Sequence, residues 1–292
     1  MQEPMIDDRE VLARLGAPNA PLLGAGGEAQ VYALGPDRVA RIMRAGARRA
    51  DADARAQLLA EIAAGRGDLP FLTPAVEALE EIGGRIVAVE PRLPGEPLSL
   101  LLGRNAGPAR SELIASYLDT ALRLREIRLP PRGFGPLLGN AGPRSDSSNS
   151  FATARLRGSA EACPPELRAA VLLAAAAAPA EPPEAALVHL DYFPANVLAA
   201  DGRVTAVLDF GPAAAIGDPR MDAWGAVAYL DPEITPTASP ADREQATAWL
   251  ARAGLDAGYA AARRWLAAYW SFAADDARLI DWCRRILLAP TG

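Results

Sequence analysis

Between residues 187 and 211 the chain reads LVHLDYFPANVLAADGRVTAVLDFG, and no other stretch limits the fold as tightly. The runs LVHL and AVLDF are apolar and β-branched, as strands are. Asp201-Gly202 is a two-residue hairpin signal. A short loop between such strands delivers Asp191 and Asn196 together, and the returning strand VTAVLDF carries Asp209 in beside them. His189, the only histidine, opens the loop. A histidine near a strand end is ordinarily packed and hydrogen-bonded, so its expected part in the catalytic loop is to hold it.

Three oxygen-bearing side chains brought to one point have a chemistry in common. Asp-x-x-x-x-Asn followed by Asp-Phe-Gly is the spacing of a phosphoryl-transfer site, where one aspartate engages a hydroxyl while an asparagine and a second aspartate hold magnesium. Asp-Phe-Gly alone means little, because such pairs are common at strand ends; the ordered set His189, Asp191, Asn196 and Asp209 carries the inference.

Composition narrows the setting. At 292 residues the chain is long enough for two compact units. A net charge of -6 argues against a nucleic-acid partner, which would call for a basic face. Cys163 and Cys283 lie in no metal-ligand spacing and are too few for a disulfide framework. The start MQEPMIDDRE lacks the basic and apolar regions of a signal peptide, and AAVLLAAAAAPA is too short to span a bilayer. A cytoplasmic protein with no membrane partner is expected. The chain has no lysine, so all 30 of its basic residues are arginine.

Along the chain, residues 5 to 16 are predicted to form a short amphipathic helix. LLGAGGEAQVYAL then reads as strand, glycine turn, strand; VARIMR as a third strand; ADADARAQLLAEIAA as a helix; and GRIVAVEP as an alternating strand. LPGEPLS marks a hinge, ARSELIASYLDTALRLREI a helix, and residues 129 to 160 a long irregular insertion. Asp218 and Pro219 have the chemistry of an N-cap and a first-turn proline. Gly24, Gly26 and Gly27 lie between two strands, where glycines let backbone amides approach phosphates; Val31 follows, and Arg41 lies in the next strand. Glu61, on the following helix, is positioned to pair with Arg41.

The glycine loop GAGGEAQVY, RLPGEPL, HLDYFPANVL, VLDFG and IGDPRMDAW together resemble the aminoglycoside phosphotransferase and choline kinase-like superfamily over nearly the whole chain. The resemblance implies an α+β, bilobal protein-kinase-like fold, with a small antiparallel-sheet nucleotide-binding lobe over residues 1–93 and a larger, mostly helical catalytic lobe over 94–292. It implies Asp191 as base, Asn196 and Asp209 as Mg2+ ligands, and Glu90, Pro91 and Arg92 as a backbone contact to adenine. Gly24, Gly26, Gly27, Val31, Arg41 and Glu61 complete the nucleotide site, and Asp222 holds the catalytic loop. The cofactors implied are ATP, with GTP as an open alternative, and magnesium.

Two features set the chain apart from protein kinases. Leu190 stands where regulated protein kinases carry arginine, and only Pro212 to Ile216 separate LDFG from GDP, too few for an activation segment. The expected partner is a small hydroxylated substrate, with an aminoglycoside-type antibiotic as first guess. An acidic wall of Asp275, Asp276 and Asp281 with Trp282 would suit a polyamine, although a solvated acidic helix face is the commoner meaning of such residues. A metabolic kinase for an amino alcohol, sugar or amino-acid hydroxyl is the alternative. So is a nucleotide-binding pseudokinase, since Arg41 replaces the family's lysine with a planar, bulkier group. Monomer and homodimer both remain open.

Overall fold

The computed structural model describes residues 6–139, 144–177, 181–182 and 184–289. The chain forms two compact units, Met1–Pro94 and Gly95–Gly292. In the first, α1 (Asp8–Arg14) starts where the Asp7 carboxylate accepts from the Glu10 amide at 2.8 Å. It is followed by β1 (Leu22–Ala25), β2 (Ala29–Ala33), β3 (Arg38–Met43), α2 (Arg49–Gly65), β4 (Ala78–Ile82) and β5 (Arg85–Pro91). The strands make one antiparallel sheet in the order β1-β2-β3-β5-β4. Side chains alternate across it, as strand geometry requires. Ala40, Ile42 and Val87 pack with Val11 and Leu12 of α1, while Met43, Ile86 and Ala88 pack with Ala52 of α2. The predicted helix over residues 5 to 16 is thus the shorter α1, and Met5 lies outside the described residues. β4 escaped the sequence reading because Glu80 and Glu81 interrupt its pattern; they are exposed on an edge strand, where charges discourage further pairing.

The second unit comprises β6 (Glu96–Pro97), α3 (Leu98–Arg104), α4 (Gly107–Arg123), β7 (Gly135–Pro136), α5 (Ser148–Ala162), α6 (Arg168–Ala176) and β8 (Ala186–Val188). After these come β9 (Val197–Ala200), β10 (Arg203–Val207), β11 (Ala215–Gly217), α7 (Met221–Tyr229), α8 (Pro240–Arg252), α9 (Asp256–Trp270) and α10 (Ala277–Leu287). Two small sheets, β10-β9-β6 and β7-β11-β8, support the loops between β8 and α7. The hairpin forms as expected: Ala200 faces Arg203, with Asp201 and Gly202 at φ 49° and 75°, the left-handed pair that tight hairpins use.

The irregular insertion expected over 129 to 160 is corrected by α5, which occupies its second half. The serine- and asparagine-rich start that read as loop is cap chemistry. Ser147 Oγ accepts from the Ser150 amide, and the Glu181 carboxylate takes the amides of Ser148 and Asn149, each at 3.0 Å. Residues 140–143 of that insertion, and 178–180 at the end of the alanine-rich run, lie outside the described residues. No helix among the described residues is long and apolar enough to cross a membrane.

Candidate active site

Asp222 organises the loop that bears Asp191. Its carboxylate, 2% exposed, accepts from the backbone amides of both His189 and Leu190, at 2.7 and 2.8 Å. Leu190 adopts φ 61°, a left-handed conformation that a branched side chain rarely takes. Asp222 holds its N–H, and the Tyr229 hydroxyl donates to its carbonyl at 2.8 Å. Beyond it, the Asn196 side-chain amide donates to the Asp191 carbonyl at 2.9 Å. The Asn196 carbonyl in turn accepts from the Leu208 amide at 2.8 Å.

That last bond leads to the third acidic position. Asp209 follows Leu208 and also lies in the left-handed region, at φ 59°. The Leu208 carbonyl is 2.7 Å from His189 Nε2, so this nitrogen carries the hydrogen and donates it. His189 therefore ties the first loop to the second. It is fully buried, and burial pushes its pKa below the ordinary value, so it stays neutral. A ring in that position cannot reach a substrate, and its contribution is to hold the two segments in register. Asp191, Asn196 and Asp209 are thereby joined through one hydrogen-bonded framework, with two strained residues fixed at its ends.

Burial pulls Asp222 the other way. Desolvation raises its pKa to about 7, opposed by the hydrogen bonds from His189 and Leu190. Both oxygens accept amides, an arrangement that is complete when the carboxyl ionises above about pH 7. Asp222 is also a first-turn acid of α7, where its charge faces the positive end of the helix. Asp218 differs from expectation. α7 begins at Met221, with Arg220 in the cap position. The Asp218 carboxylate instead accepts from the Arg220 amide and guanidinium, at 2.9 and 2.7 Å, and Pro219 precedes the helix.

In the first unit, Gly24 lies in β1 opposite Val31, which stands opposite Arg41 in β3. Gly24, Gly26 and Gly27 are exposed. None has left-handed φ, and a Cβ at Gly24 or Gly27 would meet nothing within 4 Å. The chain's own packing therefore has no need of glycine at either position. Arg41 Nε lies 3.6 Å from Glu90 Oε1, the same oxygen that accepts from Arg55 Nη1 at 2.8 Å. Glu90 acts here through its side chain, as a buried carboxylate shared by two guanidinium groups. Glu61 Oε1 accepts from Gln57 at 3.4 Å. Of residues 90–92, expected to offer backbone to adenine, Pro91 has no amide hydrogen, and that of Arg92 donates to the Asp37 carbonyl at 2.8 Å.

The acids named for a substrate wall, Asp275, Asp276 and Asp281, are exposed, as the solvated helix face would have them. Trp282 is fully buried, Asp276 caps α10 by accepting from the Leu279 amide, and Asp281 pairs with Arg284 at 3.0 Å. Sequence reasoning missed Arg55 and Tyr229. No motif marks either one, and each acquires its part only through a partner distant in the chain.

Residues 20–269 match the model of the phosphotransferase enzyme family. The chain belongs to that family. Among solved structures, a thermostable mutant of the aminoglycoside phosphotransferase APH(4)-Ia is similar at 20% identity and a TM-score of 0.68, covering 98% of this chain and 100% of its own. APH(2")-IIa in complex with gentamicin is similar at 14% identity and a TM-score of 0.65, over 99% of this chain and 98% of its own. The macrolide 2'-phosphotransferase MphH from Brachybacterium faecium follows at 20% and 0.56, over 97% of this chain and 98% of its own. No curated protein sequence matches. At such identities the structures establish the fold, which is the bilobal, kinase-like one.

Proposed function

We propose that the chain is a small-molecule kinase that moves the γ-phosphate of ATP to a hydroxyl, with the first unit holding the nucleotide and the second carrying base and metal ligands. The observation that carries this reading is the framework joining Asp191, Asn196 and Asp209 through His189 and Asp222. Phosphoryl transfer is governed by positioning and charge neutralisation, and two left-handed residues held at these positions are a use of strain for positioning. Asp191 orients the acceptor hydroxyl and takes its proton as the oxygen–phosphorus bond forms and ADP leaves. The exposed glycines, unexplained by packing, let backbone amides approach phosphates, and Arg41 supplies positive charge to them.

Asn196 and Asp209 fit magnesium by chemistry: an amide oxygen and a carboxylate are hard donors, and the Asn196 nitrogen is already turned to the Asp191 carbonyl. When bound, the ion neutralises phosphate charge. Similar structures named as ATP, ADP and GDP complexes support a purine nucleotide. Those named for gentamicin, streptomycin and macrolide 2'-phosphotransfer support a hydroxylated antibiotic as acceptor. Resistance conferred on a susceptible bacterium tests that acceptor class, and magnesium-dependent ADP release with an acceptor panel tests the activity. Nucleotide binding with no turnover on any acceptor would favour a pseudokinase. Asp209→Asn is expected to weaken nucleotide binding in magnesium and to blunt its magnesium dependence.

A further inference from the structure

The surface beside Asp191 in the second unit is aromatic and carries a cation that has no carboxylate partner among the described residues. Phe193 enters a turn closed by its own amide on the Asp191 carbonyl at 2.9 Å. Its ring stacks on Tyr229 at 3.9 Å and meets Trp270 edge-on at 5.3 Å; Trp270 stacks on Phe272 at 5.6 Å. Tyr229 is fully buried, whereas Phe193, Trp270 and Phe272 keep part of their surface open. The indole is pinned, since Trp270 Nε1 donates to the Tyr229 hydroxyl at 2.9 Å, and that hydroxyl donates to Leu190. Burial raises the Tyr229 and Tyr269 phenols, and the Asp191 charge adds to both, so Asp191 is within electrostatic reach of this surface.

Arg155 supplies the charge. Its guanidinium lies over the ring of Tyr269 at 4.6 Å and that of Phe272 at 5.7 Å, and Nη2 donates to the Tyr269 hydroxyl at 3.1 Å. Among the described residues no carboxylate pairs with it. Of the part-open rings, Phe272 thus already faces the protein's own cation, and a cationic ligand laid beside it would meet a like charge. Two of the three acids expected to attract a polyamine are engaged, Asp276 in capping α10 and Asp281 with Arg284.

We infer that this surface is the acceptor subsite and that it selects a hydroxylated ring compound bearing no positive charge. The apolar face of the ring rests on Phe193, Trp270 and Phe272, and a neutral or anionic oxygen turns toward Arg155. The inference rests on the reading of Asp191 as the base. Rigid aromatic rings bind such a face by burying apolar area at little entropic cost, and a polycation placed there meets a like charge.

The test measures equilibrium binding of phenyl glucoside, phenyl glucuronide, choline and kanamycin to the full chain in saturating magnesium-ATP analogue, with ADP release from ATP measured in parallel. The two phenyl glycosides should bind at least about tenfold more tightly than kanamycin or choline. Phe272→Ala should weaken the glycosides by about tenfold. Arg155→Glu should reverse the order of glucuronide and kanamycin. Unchanged affinity for the nucleotide analogue certifies that each variant is folded. Kanamycin or choline binding as tightly as the glycosides, an unaltered order in Arg155→Glu, or no glycoside binding at all would each overturn the inference. Glycosides that bind in the expected order without any ADP release would leave the subsite standing and remove the kinase reading.

Discussion

The glycine segment of the first unit and the aspartate loop of the second are built in opposite ways. Gly24, Gly26 and Gly27 are exposed, with no strained backbone and almost nothing against their missing Cβ atoms. The loop from His189 to Asn196 is pinned by Asp222, Tyr229, His189 and Asn196, with a left-handed leucine at its start. Under the proposed function, the difference matches what each end of a phosphoryl transfer demands. A base and its neighbouring metal ligands must be held to a fraction of an ångström, whereas a segment that closes on phosphates needs only open amides and room.

The largest expected effect lies in the pinned loop. Asp191→Ala should lower turnover by about 10² to 10⁴ while leaving nucleotide affinity in place, because a base touches the acceptor and not the nucleotide. Steady-state rates beside equilibrium nucleotide binding check this. Full activity in the variant would mean that the loop is pinned for some other purpose.

Next comes the clamp. Asp222→Asn keeps one acceptor and turns an NH2 group toward the other amide, at a cost of about 1–3 kcal/mol for the N–H left unpaired. The pH dependence carries a sign. The wild-type carboxyl titrates at about 7 in the folded chain against the ordinary 3.8, so stability falls as pH rises from the lower value through the upper. The asparagine variant has no such proton to lose. Denaturation midpoints should therefore show the gap between wild type and variant narrowing from pH 5 to pH 8. A gap that widens would mean that Asp222 is held ionised far more firmly than its burial implies.

A smaller effect is expected at Arg41, in the sheet beside the open segment. Arg41→Ala should weaken ATP by about tenfold and leave adenosine unchanged, since only ATP carries phosphates. Glu90→Gln, which neutralises the carboxylate beside Arg41, should weaken ATP in the same direction by less. Equal loss for ATP and adenosine would separate Arg41 from the phosphates and place it among the structural ion pairs of the sheet.

These comparisons also show what a sequence makes legible. The hairpin and four of the five strands of the first unit's sheet could be read, and Asp191, Asn196 and Asp209 singled out, because spacing and period are local properties. The clamp was legible only as an analogy: nothing near Asp222 says that its two oxygens will reach amides more than thirty residues earlier. Glu90 and Arg55 were illegible for the same reason, since a buried ion pair is made by packing and leaves no periodic trace. The serine-rich start of α5 misled by composition, because capping and loop residues are the same residues.

The smallest effect belongs to Gly27, and it tests the comparison from its open side. A methyl group there meets nothing within 4 Å, and φ is not left-handed, so Gly27→Ala should change stability by only a few tenths of a kcal/mol to about 1 kcal/mol, in the stabilising direction, through the unfolded chain. Its cost should appear only when phosphates are present. If backbone amides approach them at this point, the added methyl raises the KM for ATP severalfold while adenosine binds as before. A destabilised variant would show that the segment is packed more closely than its exposure indicates. An unchanged KM for ATP would show that phosphate does not come near Gly27, and the open construction of the segment would then need an explanation other than catalysis.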